Sequence, residues 1–220
     1  MIYRDRQVAG QLLAAKLSAF KDQHPVVLAL PRGGVPIGFE IARVLAAPLD
    51  LVLVRKIGAP QQQELALGAL ADGAPPELVL DRRLVEELAV PADYIEQARA
   101  QGLREIERRR GLYLAHRPPV EIRGRLAIMV DDGIATGATM EAALRATRRR
   151  EPSRLILAVP VASPAALRRL RGEADVVVCL SKPENFHAVG QFYDQFPQLR
   201  DGEVIDLLDR ARAFVAAPQT

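Results

Sequence analysis

Five short apolar runs constrain the fold of this chain more than any other feature: Val26–Leu30, Leu51–Val54, Leu126–Val130, Leu155–Val161 and Val176–Leu180. None shows strict in/out alternation, and valine, isoleucine and leucine dominate them. A strand with one wet face alternates, because successive side chains leave opposite faces of a sheet. A strand apolar throughout reads as covered on both faces, as in a parallel sheet. Helical patterns lie beside the runs. Asp5 can cap a first helix whose Ala9, Leu13, Leu17 and Phe20 share one face. Pro36–Leu45 follows the first run, Thr139–Arg150 the third and Ser163–Leu170 the fourth, the last opening with Ser163 as cap and Pro164 at the first helical position. This alternation predicts an α/β fold with a mostly parallel sheet.

Two segments break the alternation. Residues 77–125 are too long for a crossover and read as helical, with Ile95, Ala98, Leu103 and Ile106 roughly periodic and Glu105 four residues before Arg109. Residues 181–200 hold Phe186, Phe192, Tyr193 and Phe196, and precede a short amphipathic helix at Val204–Phe214. The expected organisation is a core over 1–180, with a helical insertion at about 77–125, and a C-terminal cap over 181–220 in the same compact unit.

At 220 residues and 49% hydrophobic content the chain can bury a full core without disulfide or metal staples. Its one cysteine, Cys179, cannot form an intrachain disulfide and reads as an inert strand residue. No apolar run approaches the roughly 18 residues of a membrane span, and MIYRDRQVAG does not read as a signal peptide. The expectation is a cytoplasmic protein with no membrane partner. Only four of the 30 cationic residues are lysines, leaving 26 arginines, yet the net charge of +3 demands no nucleic-acid-binding face. Arg108–Arg110 and Arg148–Arg150 read as solvated helix ends. His24, His116 and His187 show no metal-ligand spacing.

The most informative stretch is LAIMVDDGIATGATMEAALRA, Leu126–Ala146. A buried strand ends in two carboxylates, Asp131 and Asp132, and a loop of glycine and threonine leads into a helix. In α/β sheets, ligands bind in the crevice at the carboxyl ends of strands. Gly133, Gly137 and Ala138 let backbone N–H groups approach an anion at the helix N-terminus, and the Thr136 and Thr139 hydroxyls add hydrogen bonds. Two carboxylates would repel a bare phosphate but accept hydrogen bonds from sugar hydroxyls. The chemistry points to a ribose 5-phosphate.

DDGIATGAT resembles the 5-phosphoribosyl 1-pyrophosphate (PRPP) motif of type I phosphoribosyltransferases in order and spacing. The resemblance implies that family's fold: a parallel sheet with flanking helices and a small C-terminal hood. It implies that Asp131 and Asp132 hold the ribose hydroxyls, and that Ala135, Thr136, Gly137, Ala138 and Thr139 hold the 5-phosphate. LPRGGVPIGFE, Leu30–Glu40, is similar to the family's pyrophosphate loop, with Arg32 as a forked donor and Gly33–Gly34 allowing close approach. Arg55 and Lys56 stand where the family often has basic residues facing pyrophosphate, and Gly58–Gly73 corresponds in order to its mobile loop. LPRGGVP, VRKIGAP, ELALGAL and the VGQFY region further resemble a bacterial group of phosphoribosyltransferases whose substrates are unsettled.

The implied reaction is displacement at the anomeric carbon of PRPP by a nitrogen nucleophile, a nucleobase or related ring, with pyrophosphate leaving. It implies Mg²⁺ held mainly by PRPP rather than directly by protein ligands, with Arg32 and Lys56 close to the leaving group. Asp131 and Asp132 position the ribose. Enzymes of the family acting on 6-oxopurines usually carry an aspartate where this chain has Ala135, which argues against hypoxanthine or guanine. The acceptor is expected under the cap, stacked on Phe186, Phe192, Tyr193 or Phe196, with Glu64 and His187 as candidate proton-transfer residues. A homodimer follows by family analogy only. The rival reading is a non-catalytic PRPP-sensing regulator that binds RNA or a protein partner; a hydrolase of activated sugar phosphates is a third.

Overall fold

The structure, a computed structural model, describes residues 2–73, 75–114 and 117–215, and of Glu64 the backbone only. Asp5 accepts the Val8 N–H at 2.8 Å and starts α1 (Arg6–Leu17). Next come β1 (Val26–Ala29), α2 (Gly34–Leu45), β2 (Leu49–Leu51), β3 (Val54–Ala59), β4 (Gln62–Ala71) and β5 (Glu77–Leu80). Helices α3 (Arg82–Glu87) and α4 (Ala92–Leu114) lead to β6 (Leu126–Val130), α5 (Ala138–Arg148), β7 (Arg154–Val161), α6 (Pro164–Arg169), β8 (Val176–Ser181) and α7 (Asp201–Ala211).

Five strands form a parallel sheet in the order β2-β1-β6-β7-β8, with Val27 opposite Ile128 and Ile128 opposite Ile156. These three residues pack with Leu13 and Leu17 of α1 and Ile37 and Ile41 of α2. Their chain neighbours Leu28, Met129 and Leu157 pack with Ala143 and Leu144 of α5 and Ala166 of α6. Coverage on both faces is why the central strands are apolar at every position. Each fully buried side chain of this size contributes roughly 1.5–3 kcal/mol. The edge strand β8 departs from the expectation, because Val177 is 42% exposed and the strand is only partly covered.

Three further corrections concern the segment between β2 and β6. The run Leu51–Val54 is not one strand: β2 ends at Leu51, and Val54 opens a separate antiparallel sheet, β3-β4-β5. The stretch Gly58–Gly73 is not a loop but most of this sheet, with its turn at residues 60–61. Its small residues serve close packing. A Cβ on Gly68 would lie 2.1 Å from the Val79 carbonyl oxygen, and Ala69 and Ala71 meet Ala142 and Ala146 of α5. Residues 77–80, expected to be helical, form β5.

Asp50 pins the re-entry from α4 into the main sheet. It is buried and accepts the N–H of Leu51 at 2.8 Å and of Val120 at 2.9 Å, while burial pushes its carboxyl above the usual range. Many arginines tie elements together. Arg149 pairs with Glu77 at 2.6 Å, Arg148 with Asp175 at 3.0 Å, and Arg110 bonds Asp72, so these helix ends are anchored rather than merely solvated.

Candidate active site

Because β1 and β6 are parallel neighbours, the loops leaving their carboxyl ends lie side by side. Leu30 N–H donates to the Val130 carbonyl at 3.0 Å, carrying the pairing to the lip of the crevice. There the two expected motifs meet. A Cβ on Gly34 would stand 2.7 Å from the Val130 carbonyl oxygen, and one on Gly33 would stand 2.0 Å from Asp132 Oδ2. Glycine is required here by contact between the loops. The Pro31–Arg32 peptide between them and β1 is cis. Gly33→Ala is therefore expected to displace the Asp132 carboxylate and lower the melting temperature by several degrees, the scale of a roughly 1–3 kcal/mol overpacking penalty in thermal unfolding. Gly111→Ala, inside α4 where a Cβ meets nothing within 4 Å, is the control and is expected to hold or slightly raise the melting temperature.

Asp131 and Asp132 sit at the floor of the crevice. Asp132 N–H donates to Asp131 Oδ1 at 2.8 Å. Burial and the neighbouring Asp132 push the Asp131 carboxyl well above the usual range. Asp132 is also raised by burial, although the Arg6 guanidinium beside it opposes the shift. Arg6 Nε donates to Asp132 Oδ2 at 2.8 Å, and both side chains are close to nine-tenths buried. The same guanidinium donates to the Pro197 carbonyl at 2.8 Å and lies 3.7 Å from the centre of the Phe196 ring. Tyr193 Oη donates to the Asp132 carbonyl at 2.6 Å. The two carboxylates thus differ: Asp132 is held by Arg6, while Asp131 makes no ion pair among the described residues.

After the acidic pair, Ile134 pairs with Ala162 beside β7, and Ser163 Oγ donates to the Ala135 carbonyl at 2.6 Å. These bonds fix the base of the loop and leave Ala135 and Thr136 exposed. Gly137 has φ +85°, a left-handed conformation that favours glycine, and it turns the chain into α5. The backbone N–H groups of Ala138 and Thr139 open that helix and have no acceptor one turn earlier, which makes its N-terminus attractive to an anion.

Arg32 leaves the neighbouring loop with its guanidinium 3.9 Å from Asp201 Oδ1 at the start of α7. Asp201 also accepts from Tyr113 Oη, so one carboxylate links the β1 loop, α4 and α7. Arg55 and Lys56 do not form a pair at the end of a core strand. They follow Val54 in β3, where Arg55 is opposite Leu70 and Lys56 opposite Ala69. Leu70 packs toward α4 and Ala69 toward α5, so the two cationic side chains leave opposite faces.

The expected acceptor residues fare differently. Phe192 and Tyr193 are 7% and 6% exposed and belong to the core against α1 and α2. Tyr193 packs against Tyr3 and Phe196, so neither residue presents an open ring face for a ligand to stack on. Phe186 is partly buried against Phe192, with ring centres 5.1 Å apart. Phe196, which caps Arg6, is the exposed aromatic nearest the acidic pair. His187 is exposed on the same segment, whereas the side chain of Glu64 and all of His116 lie outside the described residues. Cys179 donates to the Ser181 carbonyl at 3.1 Å and burial pushes its thiol up, which favours the neutral, unreactive form. Arg6 and Asp201 were missed, and nothing in their sequence neighbourhood distinguishes them.

Residues 5–197 match the family pattern of the phosphoribosyl transferase domain, which covers both loops and the strands that carry them. The chain belongs to the phosphoribosyl transferase family. It is 43% identical over 98% of its length to two Mycobacterium tuberculosis proteins, Rv0571c and MT0597, that carry the provisional name phosphoribosyl transferase. The chain spans 48% of the length of those relatives. It is also similar to TT1426 of Thermus thermophilus, a solved structure 45% identical, with a TM-score of 0.79 over 94% of this chain and 98% of that one. Within the phosphoribosyl transferase family frame, the crevice above β1 and β6 is the candidate active site.

Proposed function

We propose that this protein transfers the 5-phosphoribosyl group of PRPP to a nitrogen acceptor and releases pyrophosphate. The observation that carries this reading is the meeting of the Gly33–Gly34 loop with the Asp131–Asp132 turn at adjoining strand ends, beside the N-terminus of α5. In this reading, Thr136, Gly137, Ala138 and Thr139 bind the 5-phosphate through backbone N–H groups and hydroxyls. Asp131 accepts from the ribose hydroxyls. Asp132, paired with Arg6, lies close against Gly33 beside it. Gly33 and Gly34 let the chain approach the diphosphate closely, and the Arg32 fork stabilises charge as it gathers on the leaving group. Lys56 stays a pyrophosphate candidate, on the side of β3 that faces α5. Arg55 points away toward α4.

Among the described residues no three His, Cys, Asp or Glu side chains converge where a metal ion could sit. Asp131, a carboxylate without an ion-pair partner among them, suits magnesium, which takes one or two protein carboxylates and fills its shell with substrate phosphates and water. Bound with PRPP it would neutralise charge on the departing diphosphate. Ala135 offers only a methyl group, so proton transfer at the acceptor falls to another residue. We place the reaction in nucleotide metabolism in the cytoplasm, in a core over 1–180 completed by a hood over 181–220. No helix among the described residues is long and apolar enough to cross a membrane.

The test is a calorimetric titration with PRPP and Mg²⁺, followed by a screen of nitrogenous acceptors for pyrophosphate release. Saturable binding and acceptor-dependent pyrophosphate are the expected results. No binding at millimolar PRPP sinks the reading. Binding without turnover of any acceptor favours the PRPP-sensing regulator instead.

A further inference from the structure

A groove between α4 and β3 carries charge that the reaction above does not use. Gln101, Arg104, Glu105 and Arg108 recur at the spacing that lines one side of α4, and Arg55 faces them from β3 across a hollow of about 370 Å³. Arg55 and Arg104 are exposed and make no hydrogen bond or ion pair among the described residues. The single carboxylate, Glu105, is committed to Arg108 at 2.9 and 3.0 Å and to Arg109 at 2.8 Å. Those two guanidinium groups hold its carboxyl well below the usual range, at about 2, so it stays charged and occupied. Arg104 and Arg108 stand one turn apart, where like charges repel.

The backbone is adapted to this arrangement. Gly102 lies in the interior of α4, where glycine weakens a helix. A Cβ there would come 3.0 Å from Leu70 Cδ2 and 3.7 Å from Arg55 Cγ. Its absence lets β3 lie against the helix and lays the Arg55 stem along α4, with its head at the rim of the groove. A neighbouring hollow of about 210 Å³ shares Arg55 and Gln101 and adds Lys56, Gln63, Tyr94 and Gln97, a polar wall that offers hydrogen bonds to a group joined to the phosphates.

We propose that this groove is a second anion site, apart from the crevice above β6, that binds the diphosphate or triphosphate chain of a phosphorylated small molecule. Two guanidinium forks unpartnered among the described residues, Arg55 and Arg104, face one hollow, and Arg108, whose Nε and Nη2 are held by Glu105, adds its remaining N–H groups, an arrangement that matches clustered phosphates. The groove is the size of a small-molecule pocket, and no aromatic ring lines its arginine end. A single-stranded nucleic acid would instead call for a longer cationic track with aromatic platforms.

The experiment uses the full chain with Arg32→Ala, which removes the fork of the pyrophosphate loop, and titrates inorganic tripolyphosphate and ATP at low salt. The comparison protein adds Arg104→Ala and Arg108→Ala, both on the exposed face of α4, with circular dichroism to confirm that the fold is kept. Tripolyphosphate is expected to bind the Arg32→Ala protein and to lose at least tenfold in affinity when the α4 arginines go. Inorganic phosphate should bind far more weakly than either probe. Equal affinities for ATP and tripolyphosphate identify the phosphate chain alone as the ligand group; tighter ATP binding assigns the polar hollow to the nucleoside. Equal binding by the two proteins, or no binding once Arg32 is removed, overturns the second site and leaves the PRPP reading standing. An RNA oligonucleotide that binds and resists competition by tripolyphosphate also overturns it. Charge reversal with Arg104→Glu alone gives an independent variant, expected to weaken binding by a similar factor.

Discussion

Arg6→Ala should lower the stability of this protein by about 3 kcal/mol, far more than loss of a typical surface ion pair. The side chains of Arg6 and Asp132 are only 11% and 13% exposed, and they meet at 2.8 Å. Removing the guanidinium strands one buried carboxylate beside another, since Asp131 is the next residue and is itself raised by burial and by Asp132. It also frees the Pro197 carbonyl and uncovers the Phe196 ring, so the segment after β8 loses its tie to α1. Urea titration of wild type and variant gives the difference directly. The interpretation requires that Asp132→Asn in the Arg6→Ala background recover a large part of the loss, because it removes the unpaired charge. Arg4→Ala is the control. That residue pairs with Asp5 at the same distance of 2.8 Å but is 64% exposed, so its loss should change stability by less than about 1 kcal/mol. Equal effects from Arg4→Ala and Arg6→Ala would refute the claim.

Asp131→Asn should make the free protein more stable at neutral pH while weakening PRPP binding at least about 100-fold. The stability sign follows from the raised carboxyl. In the unfolded chain the group loses its proton near pH 3.9, while in the folded chain it keeps the proton to higher pH. Its favourable contribution is therefore complete below the unfolded value and is lost as pH rises through the folded one. Asparagine cannot ionise and escapes that loss. Melting temperatures from pH 4 to 8 should show the variant's advantage growing with pH; a variant less stable than wild type at pH 7 would refute this. The binding loss reflects charge-assisted hydrogen bonds from ribose hydroxyls at roughly 1.5–3 kcal/mol each, where 1.4 kcal/mol is tenfold. Calorimetry that finds unchanged PRPP affinity would move the sugar elsewhere.

Asp131 and Asp132 are adjacent and identical in type, and the sequence offers no reason to separate their roles. Their difference arises from Arg6, which is 126 positions away from Asp132. Arg6 carried no mark among 26 arginines, since an ion pair between distant elements leaves no local pattern. Phe192 and Tyr193 show the same limit from the other side. Aromatic clustering in the last segment was plain, but whether a ring faces core or crevice depends on what packs against it, and here that is Tyr3 and α1.

The sequence by itself determined the parallel sheet, the caps at Asp5 and Ser163, and the two strand–loop–helix motifs. These rest on local signals: apolar runs, side-chain caps within three residues, and glycines beside helix starts. Only the tertiary structure decided that Gly58–Gly73 pairs as strands, that Arg55 and Lys56 part across β3, and that Gly33 leaves room for the Asp132 carboxylate. Small residues read alike in a mobile loop and in a tightly packed sheet. What separates the two is the surface that closes over them, and that surface comes from residues far away in the chain.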